Sequence, residues 1–344
     1  MSSFTPIQFK DENLVLLDQR LLPNEEVFIV CKTIEDTHKS IKDMVVRGAP
    51  CIGFTAIFGM ALWCKSNTVT EDTLDIAASY LISARPTAVN LEFEVKKCVD
   101  IIRSLVDKSL AYDILKEHGF NEIAKSQVRN QKMADLASKE LEENFGNKKL
   151  NILTHCNTGF LACGSIGTAL GVIEQLAREN RIENVWVDET RPYLQGSRLT
   201  SYELTKLNIP HKVVVEGAAT YLMENKMVDA IFVGADRIVK NGDTANKVGT
   251  ANLSIISKNF NVPMYVVAPL SSFDFKTETG NKIKVELRDE NEILKYKDSF
   301  IAPKSAKAFN PSFDITRGEN ISGIICEKGV LKKPFNATIA EISK

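Results

Sequence analysis

Three groups of residues combine types and spacing that can do chemistry. Thr154-His155-Cys156-Asn157-Thr158-Gly159 sets a thiol, an imidazole and an amide side by side directly after an apolar run. A cysteine there can act as base or nucleophile once deprotonated, or can be a small buried hydrophobe; its position leaves both readings open. The small residues that follow, Gly164, Gly167, Thr168 and Gly171, let a helix lie close to a neighbour and could turn its free N–H groups toward a phosphate. Gly234-Ala235-Asp236-Arg237 follows a second apolar run. Partial burial there would raise the Asp236 pKa toward that of a general acid, the alternative being a carboxylate that caps a turn or pairs with Arg237. Arg47-Gly48-Ala49-Pro50 and Arg85-Pro86-Thr87-Ala88-Val89-Asn90 each place an arginine at a junction between helices. Such an arginine converges with backbone N–H groups on a phosphate, or forms a salt bridge between domains.

Two polar stretches complete the candidates: Asp188-Glu189-Thr190-Arg191-Pro192 with Gln195-Gly196-Ser197-Arg198, and Asn241-Gly242-Asp243-Thr244-Ala245-Asn246-Lys247. Taken singly, such charges are as readily a solvated loop. No G-x-G-x-x-G and no G-x-x-x-x-G-K-[ST] occurs, and no His, Cys and carboxylate cluster has metal-ligand spacing, so neither a nucleotide cofactor nor a metal is expected.

The elements that must hold these residues change character along the chain. Leu14 to Leu17 and Val27 to Cys31 read as short strands, and Thr33 with Asp36 is spaced as a helix-capping pair. Leu91, Val95, Cys98, Val99, Ile102, Leu105 and Val106 recur at offsets of three and four, one face of a helix. Beyond Gly146, β-rich runs alternate with helical stretches: Leu150 to Thr154, Val185 to Asp188, Lys212 to Val215, Ala230 to Val233, Pro263 to Val267 and, as a last return, Ile321 to Cys326. Helices are expected at Phe160 to Glu179, Leu199 to Leu207 and Thr244 to Phe260. That rhythm predicts an α/β protein: a mainly helical N-terminal domain with a small antiparallel sheet over residues 1–130, then a Rossmann-like, doubly wound parallel sheet over 131–344. In such sheets ligands bind outside the carboxyl ends of the strands, where Cys156 and Asp236 fall.

Composition bounds the function. With 344 residues, two domains are expected. The 43 Lys and Arg against 44 Asp and Glu give no basic excess, which disfavours nucleic acid or an anionic membrane as partner. Seven cysteines without a C-x-x-C pair or an apolar leader suit a reducing cytoplasm. Gly48 to Cys64 and Asn157 to Ile173 are each uncharged for 17 residues, just under the ~18 that would suggest a membrane span, and read as buried helices.

Together the motifs resemble the methylthioribose-1-phosphate isomerase family, part of a wider group that includes the regulatory subunits of eukaryotic translation initiation factor 2B. The resemblance also covers Leu17-Asp18-Gln19, Leu22-Pro23, Ala245-Asn246-Lys247-Val248-Gly249 and Phe309-Asn310-Pro311-Ser312-Phe313-Asp314. It implies a homodimer acting on a small sugar phosphate without a cofactor, with Cys156 and Asp236 as the catalytic pair and Asp236 as proton donor. It implies substrate contacts from Arg47, Gly48, Ala49, Arg85, Gln195, Asn246 and Lys247. Where many relatives carry Phe-Trp, this chain has Glu92-Phe93, and Cys163 and Ile166 also depart from the pattern. The group at carbon 5 of the sugar therefore stays open between methylthio, methyl and phosphate. A non-catalytic regulatory subunit is the alternative from another class, and a Rossmann oxidoreductase lacks its glycine fingerprint.

Overall fold

The computed structural model describes residues 5–85 and 89–343. The chain divides into two compact units, one of residues 1–129 with 159–167, the other of residues 130–158 with 168–344. The segment 159–167, which the sequence reading assigned to the C-terminal domain, clusters with the first unit.

In the first unit β1 (Ile7–Lys10), β2 (Asn13–Leu17) and β3 (Phe28–Cys31) form an antiparallel meander. The first of these was not expected from the sequence. Helices α1 (Ile34–Lys42), α2 (Ala49–Ser66), α3 (Glu71–Ile82) and α4 (Val89–Ser104) follow, then the long α5 (Ala111–Phe145), inside which the division falls, and the short α6 (Phe160–Cys163). Thr33 and Asp36 do close a capping box on α1: the Asp36 N–H donates to Thr33 Oγ1 at 3.2 Å and the Thr33 N–H to Asp36 Oδ2 at 3.2 Å. On α4, Leu91, Val95, Cys98 and Ile102 are fully buried. Val106, expected on the same face, lies past the last turn and is exposed, because the helix ends at Ser104. Helix α2 is long and apolar enough to cross a membrane by length and composition, yet 72% of it is buried inside the protein. Asn157 to Ile173, in contrast, is no single helix: it breaks at Gly164 and resumes only at Ala169.

In the second unit the expected runs become β4 (Leu150–Thr154), β5 (Ile182–Asp188), β6 (His211–Val214) and β7 (Ala230–Val233). A second sheet uses β8 (Arg237–Val239) and β9 (Thr244–Lys247), after which the main sheet takes β10 (Met264–Val267). Between them in sequence lie α7 (Ala169–Arg178), α8 (Ser201–Lys206), α9 (Ala219–Glu224) and α10 (Thr250–Asn259). The remaining strands are β11 (Phe273–Asp274), a two-residue ribbon of β12 (Lys295–Tyr296) and β13 (Ser299–Phe300), β14 (Phe313–Thr316), β15 (Gly323–Cys326) and β16 (Gly329–Leu331), with α11 (Asn291–Leu294) and a closing α12 (Phe335–Ile342).

The main sheet runs β16-β15-β10-β7-β4-β5-β6, parallel throughout except for β16 at one edge. Counting the parallel strands by their place in the chain from the β6 edge gives 3-2-1-4-5-6, the doubly wound dinucleotide-fold order, which reverses between β4 and β7. Strands β7, β10 and β15 are buried at every residue, as central strands covered on both faces must be, whereas β6 at the edge is partly exposed. Burying side chains such as Phe232, Ile231 and Val266 contributes ~1.5–3 kcal/mol each, which offsets the entropy of ordering the strands.

The expected helix Thr244 to Phe260 is corrected. Thr244–Lys247 is strand β9, antiparallel to both β8 and β14, and the helix begins only at Thr250. The break is Gly249, at φ +105°, where a Cβ would come within 2.7 Å of the His155 ring.

Candidate active site

Because β4 and β7 are adjacent and parallel, with Thr154 opposite Phe232, their carboxyl ends open side by side at the point where the strand order reverses. Cys156 follows two residues after Thr154 and Asp236 four residues after Phe232. Cys156 is 7% exposed and adopts φ +64°. Left-handed backbone costs an L-residue with a Cβ ~1–2 kcal/mol, so the surroundings must hold it there. They do so from both sides: the Cys156 N–H donates to Thr190 Oγ1 at 2.9 Å, and Thr200 Oγ1 donates to the Cys156 carbonyl at 2.6 Å.

Asp236 behaves differently from expectation. Its N–H donates to the Ala245 carbonyl at 3.0 Å, which starts the β8–β9 hairpin. Asp236 is exposed rather than partly buried, between Ala235 and Arg237, which are both half-buried.

His155, next to Cys156, is fully buried with Asp188 from the end of β5. Its Nε2–H donates to the Val248 carbonyl at 2.9 Å, which can only accept, and Nδ1 faces Asp188 Oδ2 at 3.2 Å. Burial opposes charge on the imidazole, but the Asp188 carboxylate and the Val248 carbonyl outweigh it and raise the His155 pKa. Burial raises that of Asp188 as well, against the pull of His155. The proton between them is thus firmly held, and the pair ties the ends of β4 and β5 to the segment before α10.

Of the other candidates of this unit, Gln195 follows β5, and Asn246 and Lys247 lie on β9 of the second sheet. Asn246 on β9 is buried and donates from Nδ2 to Thr250 Oγ1 at 3.1 Å. Lys247 is half-buried, with Nζ donating to the Ser312 carbonyl at 2.9 Å and lying 5.1 Å from the centre of the Phe313 ring. Gln195 opens a π-helical turn, Gly196–Thr200, and its Oε1 is buried without a hydrogen-bond partner among the described residues.

Arg47, Gly48, Ala49 and Arg85 belong to the first unit. Gly48 caps the N-terminus of α2 at φ +87°, and a Cβ there would meet the Ala162 backbone at 2.5 Å, so only glycine fits. Ala49 is exposed as the first residue of that helix, and Arg47 precedes it half-buried. Arg85 is half-buried just after α3, its N–H donating to the Ile82 carbonyl at 3.3 Å; Pro86 to Ala88 of its motif lie outside the described residues. Cys156, Asp236 and Gln195 thus follow the carboxyl ends of β4, β7 and β5, Asn246 and Lys247 stand on β9 of the second sheet, and the other four candidates belong to the other unit.

Thr190 and Asp314 stood in stretches that the sequence reading named, but their roles were not read, and Thr200 was not singled out. Thr190 and Thr200 act through hydroxyls that no pattern distinguishes from surface threonines. Asp314 on β14 accepts the Gly249 N–H at 2.7 Å and the Ala251 N–H at 3.0 Å, which caps α10 from another strand. Among the described residues no three His, Cys, Asp or Glu side chains are gathered as a metal ion would require.

Residues 45–333 match the initiation factor 2 subunit family. The chain is 42% identical over 345 residues to methylthioribose-1-phosphate isomerase of Caldicellulosiruptor saccharolyticus, with 98% of each sequence covered. It belongs to the methylthioribose-1-phosphate isomerase and initiation-factor-2B-related family. Methylthioribose-1-phosphate isomerase of Natranaerobius thermophilus is also 42% identical, over 353 residues and the full length of both chains. Among solved structures, 5-methylthioribose 1-phosphate isomerase of Pyrococcus horikoshii superposes with a TM-score of 0.92 at 33% identity, covering 100% of this chain and 96% of the other. The delta subunit of translation initiation factor eIF-2B from A. fulgidus gives 0.90 at 32% identity, covering 99% of each. The family thus holds enzymes and translation-factor subunits on one fold, and the residues at the strand ends have to decide between them.

Proposed function

We propose that this chain is an aldose–ketose isomerase that converts 5-methylthioribose 1-phosphate to 5-methylthioribulose 1-phosphate, a step of methionine salvage. The observation that carries the reading is the end-to-end similarity, at 42% identity, to methylthioribose-1-phosphate isomerases. Cys156 and Asp236, at the ends of the two strands that flank the reversal of strand order, support it.

In an aldose 1-phosphate the anomeric carbon is blocked, so the furanose ring has to open by protonation of its ring oxygen. Asp236 supplies that proton. Since its carboxyl is exposed in the free chain, the bound substrate and the exclusion of water must provide the dry surroundings that keep it protonated. Hydrogen then moves from carbon 2 to carbon 1, as a proton through an enol phosphate with the Cys156 thiolate as base, or as a hydride within the substrate. Reaction in heavy water separates the routes: deuterium at carbon 1 of the ketose marks the proton route. In the second unit Lys247 binds the phosphate and Gln195 and Asn246 sugar hydroxyls; Arg47, Gly48, Ala49 and Arg85 of the first unit are the further substrate contacts that the family resemblance implies. A homodimer and a cytoplasmic setting belong to the same proposal, the latter supported by seven cysteines that form no C-x-x-C pair.

The related chemistry at carbon 5 and the regulatory reading, favoured by the likeness to the eIF-2B subunit, are tested together. Phosphorus and proton NMR of the purified protein with methylthioribose 1-phosphate, 5-deoxyribose 1-phosphate and ribose 1,5-bisphosphate should show ketose formed fastest from the methylthio sugar. Faster conversion of another sugar would reassign the substrate, and conversion of none would leave the regulatory role.

A further inference from the structure

The backbone of Cys156 is gripped by two threonines that no catalytic reading has used. Thr190 stands in the turn after β5, and Thr200 ends the π-helical turn that runs into α8; both are fully buried. Thr190 Oγ1 accepts the Cys156 N–H at 2.9 Å and donates its hydrogen to the Asp188 carbonyl at 2.9 Å. Thr200 Oγ1 donates to the Cys156 carbonyl at 2.6 Å and accepts from Asn157 Nδ2 at 3.2 Å, while the same amide also donates to Glu203 Oε1 at 2.8 Å. Each hydroxyl thus spends both of its roles, and in each case one of them is on Cys156. The residue they hold sits at φ +64°, as Thr190 itself does, a conformation that a side chain with a Cβ abandons unless its surroundings over-determine it.

We infer that Thr190 and Thr200 are positioning residues for the isomerisation: a clamp of two hydroxyls, from two separate turns, fixes the left-handed turn that sets the Cys156 thiol at the end of β4. The chemical consequence rests on the isomerase reading; the conformational clamp does not. Relaxation of residue 156 to extended or right-handed backbone would swing its Cβ to another direction and misplace the sulfur, which is costly to a step that depends on alignment.

Thr→Val keeps the shape and removes the hydroxyl, and Thr→Ser keeps the hydroxyl, so Thr190→Val, Thr200→Val, Thr190→Ser and Thr200→Ser separate clamp from packing. Each valine should lower kcat by roughly tenfold to a hundredfold with KM near the parental value, and each serine should keep kcat close to the parent. Independently, the rate of Cys156 alkylation by iodoacetamide under native conditions, followed by peptide mass spectrometry, should shift several-fold in the valine variants and stay parental in the serine variants. Valine variants with parental kcat and parental alkylation would overturn the inference. Serine variants as impaired as the valines would overturn it too, by assigning the effect to the methyl groups. If one valine variant fails to fold, the other and the serine pair still decide. If the parent converts no sugar phosphate, the isomerase reading fails while the alkylation rates judge the clamp by themselves.

Discussion

At the scale of single residues, the site is a thiol held in an unusual backbone beside a buried pair. His155 and Asp188 hold their proton more tightly in the folded chain than the free side chains would, so a group with a raised folded pKa is at work. The stability it contributes is fully present below the ordinary histidine value of 6.5 and is lost as pH rises through the higher folded value. His155→Gln should therefore cost most at pH 6. The gap in urea-unfolding stability between parent and variant should narrow toward pH 9; a gap that widens with pH would contradict this pairing. From the sequence, Cys156 and Asp236 were legible because each directly follows an apolar run. The role of Asp188 was not, because one charge in Asp188-Glu189-Thr190-Arg191 looks like any solvated charge until the fold buries it against His155.

At the scale of elements, the parallel strands were readable because both of their faces are apolar, and β4 and β7 fall where the pattern put them. Strand β9 was hidden: Thr-Ala-Asn-Lys carries no β signal, and its partner β14 lies more than 60 residues away in the chain. The element also depends on Asp314, whose carboxylate takes two N–H groups at the start of α10 in place of any side chain on Gly249. Asp314→Ala should cost roughly 1–2 kcal/mol, the usual loss for a helix cap, measured by urea unfolding. Because the same carboxylate fixes the segment between Lys247 and Thr250, KM for the sugar phosphate should rise as well. Unchanged stability would show that α10 is capped in some other way.

At the scale of the whole chain, a fold shared by isomerases and translation-factor subunits cannot by itself name a function. A doubly wound parallel sheet was anticipated from the alternation of strands and helices, but its strand order and the grouping of 159–167 with the first unit were not, because sequence order gives no sign of which strands neighbour or of a segment that returns to an earlier unit. What distinguishes an enzyme on this fold is whether the ends of β4 and β7 do chemistry. The most direct measurement is the turnover of methylthioribose 1-phosphate by Cys156→Ser and Asp236→Asn, each with circular dichroism matching the parent. Both variants should stay folded and lose roughly a hundredfold to ten-thousandfold in kcat, as loss of an acid or base does. A variant of either residue that turns over the sugar at the parental rate would contradict this reading.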